Sequence, residues 1–261
     1  MEYISVASGS SGNCHYIAYK NTKILIDAGL SGKRIEKNLQ ENDKNLKDIA
    51  AIFITHEHKD HIRGAGILSR RHGIPIYATK NTWRVMKNDV GKIDDKFVRT
   101  FGIGDKICIG DLEVSSFHIS HDAVDPCGFS VSDGNKRLSV ATDLGKVESE
   151  AFEYLCMSDL AIIEANYDEE LLQYSFYPYS LKSRIKSDTG HLSNKDAAHL
   201  ALSLVKKGIE RISLAHLSGE NNRPSLAFQY VCEFLKQNGV TSDDVMLEVL
   251  KRDISSGLCI V

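Results

Sequence analysis

The sequence predicts a layered α/β sandwich, with mixed sheets inside and helices outside, formed by residues 1–261 as one domain. Three observations carry that expectation. Short apolar strands around tight turns dominate the first half, strands alternate with helices in the second, and there is neither a short-period repeat nor a low-complexity stretch. In order, strands are predicted over 3–7 and 15–19, either side of a Gly/Ser loop at 8–13, and over 23–26 after a Lys-Asn-Thr turn. Helical periodicity follows at 32–41, then a strand at 49–54, a helix over 62–71 and a short strand at 74–78. Gly110-Asp111 joins 107–109 to 112–117 as a two-residue hairpin, and Asp133-Gly134-Asn135 joins 129–132 to 137–141 as a second. A helix at 147–156 precedes a strand at 160–163, and an aromatic-rich linker at 174–186 leads to a helix at 194–207 capped by Ser193 or Asn194. A strand at 211–215, a helix at 225–237 behind Pro224 and a strand at 245–250 complete the order.

Composition narrows the function classes. The chain of 261 residues is 42% hydrophobic and 26% charged, as ordinary soluble globular proteins are. No apolar run approaches the ~18 residues of a membrane span, so no membrane partner is expected. The N-terminal residues lack the basic-then-apolar pattern of a secretory signal. None of the six cysteines forms a C-x-x-C pair. Together these predict reduced thiols and a cytoplasmic location. A net charge of −3 offers no global attraction for nucleic acid. A polyanionic substrate must therefore be drawn by local charge, bound cations included.

Residues 55–61, Thr-His-Glu-His-Lys-Asp-His, follow the apolar run 49–54 and place four potential metal ligands, His56, His58, Asp60 and His61, within six positions. In extended backbone, residues two apart point the same way, so His56 and His58 can reach one ion. Asp60 and His61 come where the chain turns into a helix, which aims them at a second point. Aspartate at position 60 separates the pattern from the His-Glu-x-x-His helix of zinc proteases. Three crowded imidazoles and a carboxylate behind a buried strand carry repulsion between the rings and a desolvation cost unless a cation sits among them, so metal binding outweighs a solvated charged loop. Further His and Asp residues stand at or just beyond the C-terminal ends of apolar strands, where open α/β folds place their chemistry: Asp27, His121, Asp143 and His216. Alone, each has a structural explanation as a turn former or packed histidine; as a set they supply the ligand count two metals need.

These residues carry a resemblance to the metallo-β-lactamase superfamily. Asp27 of Leu-Ile-Asp-Ala-Gly resembles its first motif, His56-x-His58-x-Asp60-His61 the second, and His121, Asp143 and His216 the third, fourth and fifth. His118 competes for the third position, and the pattern of 121–129 favours His121. The resemblance implies a four-layer αββα sandwich of two mixed sheets flanked by helices. It also implies one ion on His56, His58 and His121, a second on Asp60, His61 and His216, and Asp143 bridging two divalent ions, Zn or Mn. Within the superfamily the chain is similar, nearly end to end, to the bacterial YycJ type, also called VicX or WalJ. Ser8-Gly-Ser-Ser-Gly-Asn13, Glu164-Ala-Asn166, Gly190-His-Leu-Ser-Asn194 and His216-Leu-Ser-x-Glu-Asn-Asn222 carry that likeness. It implies a 5′-to-3′ DNA exonuclease, with DNA-repair or regulatory protein partners.

Two adjacent cations make hydroxide available from a bridging water near neutral pH and stabilise both oxygens of an in-line displacement. Such chemistry also serves lactones, thiol esters and cyclic phosphodiesters, so a small-molecule hydrolase is the alternative enzyme and a regulatory metal-binding protein the alternative class. Three features favour a phosphodiester in nucleic acid, with DNA as the expected substrate. His191 opens a helix where it can protonate an alkoxide leaving group, and Glu164 can orient it, with Asp60 helping to generate hydroxide. The loop carrying Ser10, Ser11 and Asn13 offers backbone N–H groups to an anion. Tyr174-Ser-Phe-Tyr-Pro-Tyr179 followed by Lys182, Arg184 and Lys186 interleaves aromatic faces with positive charge, and Arg223 is a further phosphate contact. Only 72 residues separate Asp143 from His216, which leaves no room for a β-CASP insertion.

Overall fold

Apolar strands buried on both faces need covering on both faces, and the chain meets that need with two sheets packed against each other and helices outside. The computed structural model describes residues 1–261. The first sheet is built from β1 (Glu2–Ala7), β2 (Cys14–Tyr19), β3 (Thr22–Ile26), β4 (Ala51–Phe53), β5 (Ile76–Thr79) and β6 (Val98–Phe101). The second follows with β7 (Lys106–Ile109), β8 (Leu112–His118), β9 (Cys127–Ser132), β10 (Arg137–Ala141), β11 (Leu160–Glu164), β12 (Arg211–Ala215) and β13 (Met246–Val249), while β14 (Cys259–Ile260) returns to the edge beside β1. Both sheets have seven strands and the same logic: antiparallel pairing through β1–β3 and β7–β10, then parallel pairing through β3–β6 and β10–β13.

Period-two alternation assigns each strand residue to a layer. Ile24 and Ile26 of β3 face the core between the sheets while Leu25 faces the outer helices, and in β11 Leu160 and Ile162 face inward while Ala161 and Ile163 face out. One outer layer comprises α1 (Gly32–Gln40), α2 (Lys59–Ile62), α3 (Ala65–His72) and α4 (Lys80–Val90). The opposite half carries α5 (Ser149–Cys156), α6 (Glu169–Tyr174), α7 (Tyr179–Ile185), α8 (Asn194–Val205) and α9 (Pro224–Gln237). The result is the four-layer αββα sandwich. Between the sheets, Phe129 meets Phe53 and Phe101 edge-on at ring separations of 5.5 and 5.7 Å. Phe129→Ala opens a cavity there and is expected to cost about 3–5 kcal/mol of stability, read by chemical denaturation.

Local signals act where expected in several places. Ser193 and Asp196 form a reciprocal capping box at the start of α8, Pro224 opens α9, and α3 ends on Gly73 at φ 69°. The helix predicted over 62–71 is broken instead into α2 and α3. The break is at Gly64, whose N–H donates to Ala28 O at 2.7 Å and where a Cβ would fall 2.4 Å from Leu30 O. The linker predicted at 174–186 is mostly helical, because α7 starts just after Pro178. The strand expected at 49–54 is shorter, Ala51–Phe53, and the six cysteines are all free thiols.

Candidate metal centre

The parallel strands share a direction, so their C-terminal ends open on one rim, and that rim collects the site. Asp27 follows β3, residues 55–61 follow β4, His121 comes after β8, Asp143 after β10 and His216 after β12; Glu164 ends β11. Asp27, Asp143 and His216 adopt left-handed backbone, with φ of 59°, 60° and 55°. Non-glycine residues hold that conformation where their surroundings fix it. For His216 those surroundings are visible: its N–H donates to Ser8 Oγ at 3.0 Å and its carbonyl accepts from Asn166 Nδ2 at 2.8 Å. The metal loop itself is clamped by the loops that follow β1 and β3. Asn13 N donates to Asp60 O at 2.8 Å, and a Cβ on Gly29 would fall 1.6 Å from that same oxygen.

The side chains converge in two overlapping groups. His56 Nε2 lies 3.1 Å from His58 Nδ1, which is 3.3 Å from His121 Nε2. Asp60 Oδ2 lies 3.6 Å from His61 Nε2 and 3.5 Å from His216 Nε2. Asp143 stands between the groups, with Oδ2 3.1 Å from His61 Nε2 and Oδ1 3.7 Å from His121 Nε2. His118 is exposed and pairs with Glu148 at 3.2 Å, outside the cluster.

A surrounding layer orients the rings. His61 Nδ1 donates to Asp27 Oδ2 at 2.7 Å, His216 Nδ1 to Glu164 Oε1 at 2.7 Å, and His121 Nδ1 to the Gly190 carbonyl at 3.2 Å. His56 Nδ1 sits 3.0 Å from Thr55 Oγ1, which also contacts both oxygens of Asp27. Each of these rings spends Nδ1 on an outer partner and turns Nε2 inward, the arrangement that fixes metal-ligating imidazoles. Removing the outer carboxylate by Asp27→Asn is expected to weaken metal affinity by roughly 10–100-fold, measured by competition with a chelating dye. Unaltered affinity would remove Asp27 from the site.

The donors fit divalent cations. Asp143 Oδ2 and His216 Nε2 are buried without a well-aligned hydrogen bond, facing His61 Nε2 at 3.1 Å and Asp60 Oδ2 at 3.5 Å, and a buried polar atom left so costs about 1–3 kcal/mol unless a ligand satisfies it. Charge points the same way. Burial pulls the His61 and His216 imidazoles down, yet Asp27 and Asp143 lift His61 well above its ordinary range, and Asp143 with Asp60 lifts His216 to about 10. Burial pushes His56 well below its ordinary range. The buried carboxylates thus demand positive charge that some of the imidazoles resist supplying, and divalent ions on mixed imidazole and carboxylate donors satisfy both.

Beside the cluster, His191 Nδ1 donates to Glu164 Oε1 at 2.9 Å. Glu164 is fully buried; its Oε2 accepts from the N–H groups of Leu144 at 2.7 Å and Leu192 at 3.2 Å. One carboxylate therefore orients two histidines, His191 and His216. The sequence points to the first pairing through Gly-His-Leu-Ser-Asn and gives no signal for the second. It is likewise silent on Ser8, Thr55 and Asn166 as braces.

The expected substrate contacts divide. Ser10 and Ser11 line a cleft of about 680 Å³ with Lys59, Asp60 and Arg63, next to the cluster. Asn13 is fully buried, with Oδ1 accepting from Gly9 N at 2.9 Å and Nδ2 3.1 Å from His61 Nε2; it braces the loop and is not a surface for substrate. Lys186 lines a separate groove with Lys146, Asp196 and His199. Arg223 folds onto its own loop, donating to the carbonyls of Gly219, Glu220 and Asn222. Neither of the two reaches the cluster.

Two facing mixed sheets with a His/Asp cluster on their shared rim define a metal-dependent hydrolase of the metallo-β-lactamase fold. The profile described as "Beta-lactamase superfamily domain" matches residues 22–216. The chain is 39% identical over 241 residues to "Exodeoxyribonuclease YycJ" of Bacillus anthracis, covering 92% of this chain and 90% of that one. It is 41% identical over 238 residues to "Exodeoxyribonuclease WalJ" of Streptococcus pneumoniae, covering 90% and 88%. The chain therefore belongs to the beta-lactamase superfamily, in its YycJ/WalJ-type branch. Among solved structures, the metallo-beta-lactamase fold protein YhfI from Bacillus subtilis aligns with a TM-score of 0.72 at 14% identity over 98% of this chain and 99% of its own, a likeness of fold alone.

Proposed function

We propose that this chain is a two-metal phosphodiesterase that degrades DNA exonucleolytically from a 5′ end. In this reading His56, His58 and His121 hold one divalent ion, Zn or Mn, Asp60, His61 and His216 hold the other, and Asp143 is shared. When bound, such a pair supplies an activated water and stabilises charge on the attacking and leaving oxygens. The rest falls to the chain's own groups.

The observation that carries the proposal is the His191–Glu164 pair beside the cluster. An alkoxide leaves poorly without a proton, so phosphodiester cleavage gains from a positioned general acid. Burial pulls the His191 imidazole down, but Glu164 and then Asp143 outweigh it and hold its pKa above the ordinary histidine value. That shift is in the direction a general acid needs. With Nδ1 held by Glu164 and the side chain still 16% exposed, the ring can pass a proton to the departing oxygen and recover it from solvent. The exodeoxyribonuclease names of the two bacterial relatives support DNA as the substrate.

We further assign the activity to one domain over 1–261, without a β-CASP insertion, acting in the cytoplasm. No helix is long and apolar enough to cross a membrane. Family resemblance suggests DNA-repair or regulatory protein partners. The test is digestion of end-labelled DNA and RNA, each with 5′-phosphate or 5′-hydroxyl ends, by protein reconstituted with zinc or manganese. Mononucleotides released progressively from the 5′ end of DNA are the expected products. Turnover of lactones or thiol esters with no cleavage of any oligonucleotide would overturn the reading.

A further inference from the structure

The three most exposed large apolar side chains of the molecule are Phe176 at 106%, Tyr179 at 86% and Tyr174 at 79%, all within six residues; no other exceeds 62%. We propose that these rings are a stacking platform for the unpaired bases of a nucleic-acid strand leading into the metal centre, an inference that rests on the nuclease reading above.

The platform is mounted firmly. Beneath it, Leu172, Ile185 and Tyr167 form a small core of their own, with Tyr177 and Leu181 packed against it. Lys182 Nζ clamps the connecting turn by donating to the Gln173 carbonyl at 2.8 Å and the Ser175 carbonyl at 2.7 Å. The exposed rings are thus displayed by an ordered segment whose other apolar residues are packed.

Its position ties it to the chemistry. The excursion begins after Glu164, the last residue of β11, and ends at His191 ahead of α8, and those two residues are bonded to each other at 2.9 Å. The His191 N–H donates to the Ile185 carbonyl at the end of α7, also at 2.9 Å. Arg184 on α7 is paired with Asp122, whose Oδ1 lies 3.5 Å from His121 Nε2. A strand resting on the rings is therefore within the same short segment that carries the proposed general acid.

Charge selects the occupant. Residues 174–186 contain Lys182, Arg184 and Lys186 and no carboxylate. Unpaired nucleotides offer flat π faces between phosphates, which a run of rings followed by cations matches on both counts, although Arg184 is shared with Asp122. A closed duplex hides its base faces, so the platform selects single strands or frayed ends. Exposed aromatic surface of this kind marks an interaction site rather than a folding requirement.

The test compares wild type with the Tyr174→Ala/Phe176→Ala/Tyr179→Ala variant. Binding is read by fluorescence anisotropy on a nuclease-resistant phosphorothioate oligothymidine and on an abasic oligomer of equal length and charge. Each ring lost is expected to weaken oligothymidine binding by roughly 5- to 150-fold, with abasic binding unchanged. Hydrolysis of a small chromogenic phosphodiester and the melting temperature should match wild type. Unchanged oligothymidine binding, or an equal drop on both oligomers, overturns the platform. So does a wild-type dimer that the variant converts to monomer in sedimentation, which would make the rings a contact between copies. Cleavage of DNA by wild type is the separate readout: its absence sinks the nuclease assignment, whatever the anisotropy shows.

Discussion

Replacing His191 by alanine is expected to slow DNA hydrolysis by roughly 10²–10⁴-fold while leaving metal uptake intact. The two halves of that result follow from one geometry. His191 hangs from Glu164 at 2.9 Å and lies 3.6 Å from Asp143 Oδ1; it shares a cluster with Asp143, Glu164 and His216 but belongs to neither the His56/His58/His121 nor the Asp60/His61/His216 group. Its value lies in a proton delivered to a poor leaving group. A phosphodiester with a p-nitrophenolate leaving group needs no such proton and should be cleaved by the variant nearly as well as by wild type. Elemental analysis for metal content and single-turnover rates on both substrates check the prediction. An equal loss on both substrates, or a loss of bound metal, would make His191 a structural or ligating residue.

Asp143→Asn is expected to bring DNA cleavage to the level of the buffer blank and metal content well below that of wild type. Asp143 is the carboxylate common to both donor groups, 3.1 Å from His61 and 3.7 Å from His121, and it is fully enclosed. It also supplies the negative charge that lifts His61 and His216 above their ordinary pKa values against the pull of burial. An amide in its place removes the charge and puts an N–H donor at the position of the proposed cations, so the damage reaches both groups. This contrasts with Asp27→Asn, which touches a single ring and leaves the proposed ligand set in place. Wild-type metal content in the Asp143 variant would show that the two groups do not share a carboxylate.

The parts of this site that were legible from sequence are the local ones. Residues 56–61 announce themselves because four potential ligands crowd into six positions, and Asp27, Asp143 and His216 because each follows an apolar run. What holds them was hidden, since it comes from afar. Ser8 and His216 are 208 residues apart, and Asn166 and His216 are 50 apart. Nothing in a serine or asparagine reveals such a partner. Asn13 and Arg223 show the converse: polar residues near motifs look like substrate contacts until their hydrogen bonds are counted. In the fold, α4 escaped because Trp83, Met86 and Val90 form a thin apolar stripe among Asn, Thr and Asp. β6 escaped because only Phe101 of its four residues is buried. The matching logic of the two sheets also left no trace, because a repeated topology requires only alternation, not shared residues.

The central claim is that one rim of the sandwich seats two divalent ions around a common carboxylate. Anomalous diffraction from crystals soaked in zinc or manganese tests it most directly. Two peaks about 3.5–4 Å apart are expected, one framed by His56, His58 and His121, the other by Asp60, His61 and His216, with Asp143 touching both. A single peak, or a peak ligated by His191 and Glu164, would contradict the account.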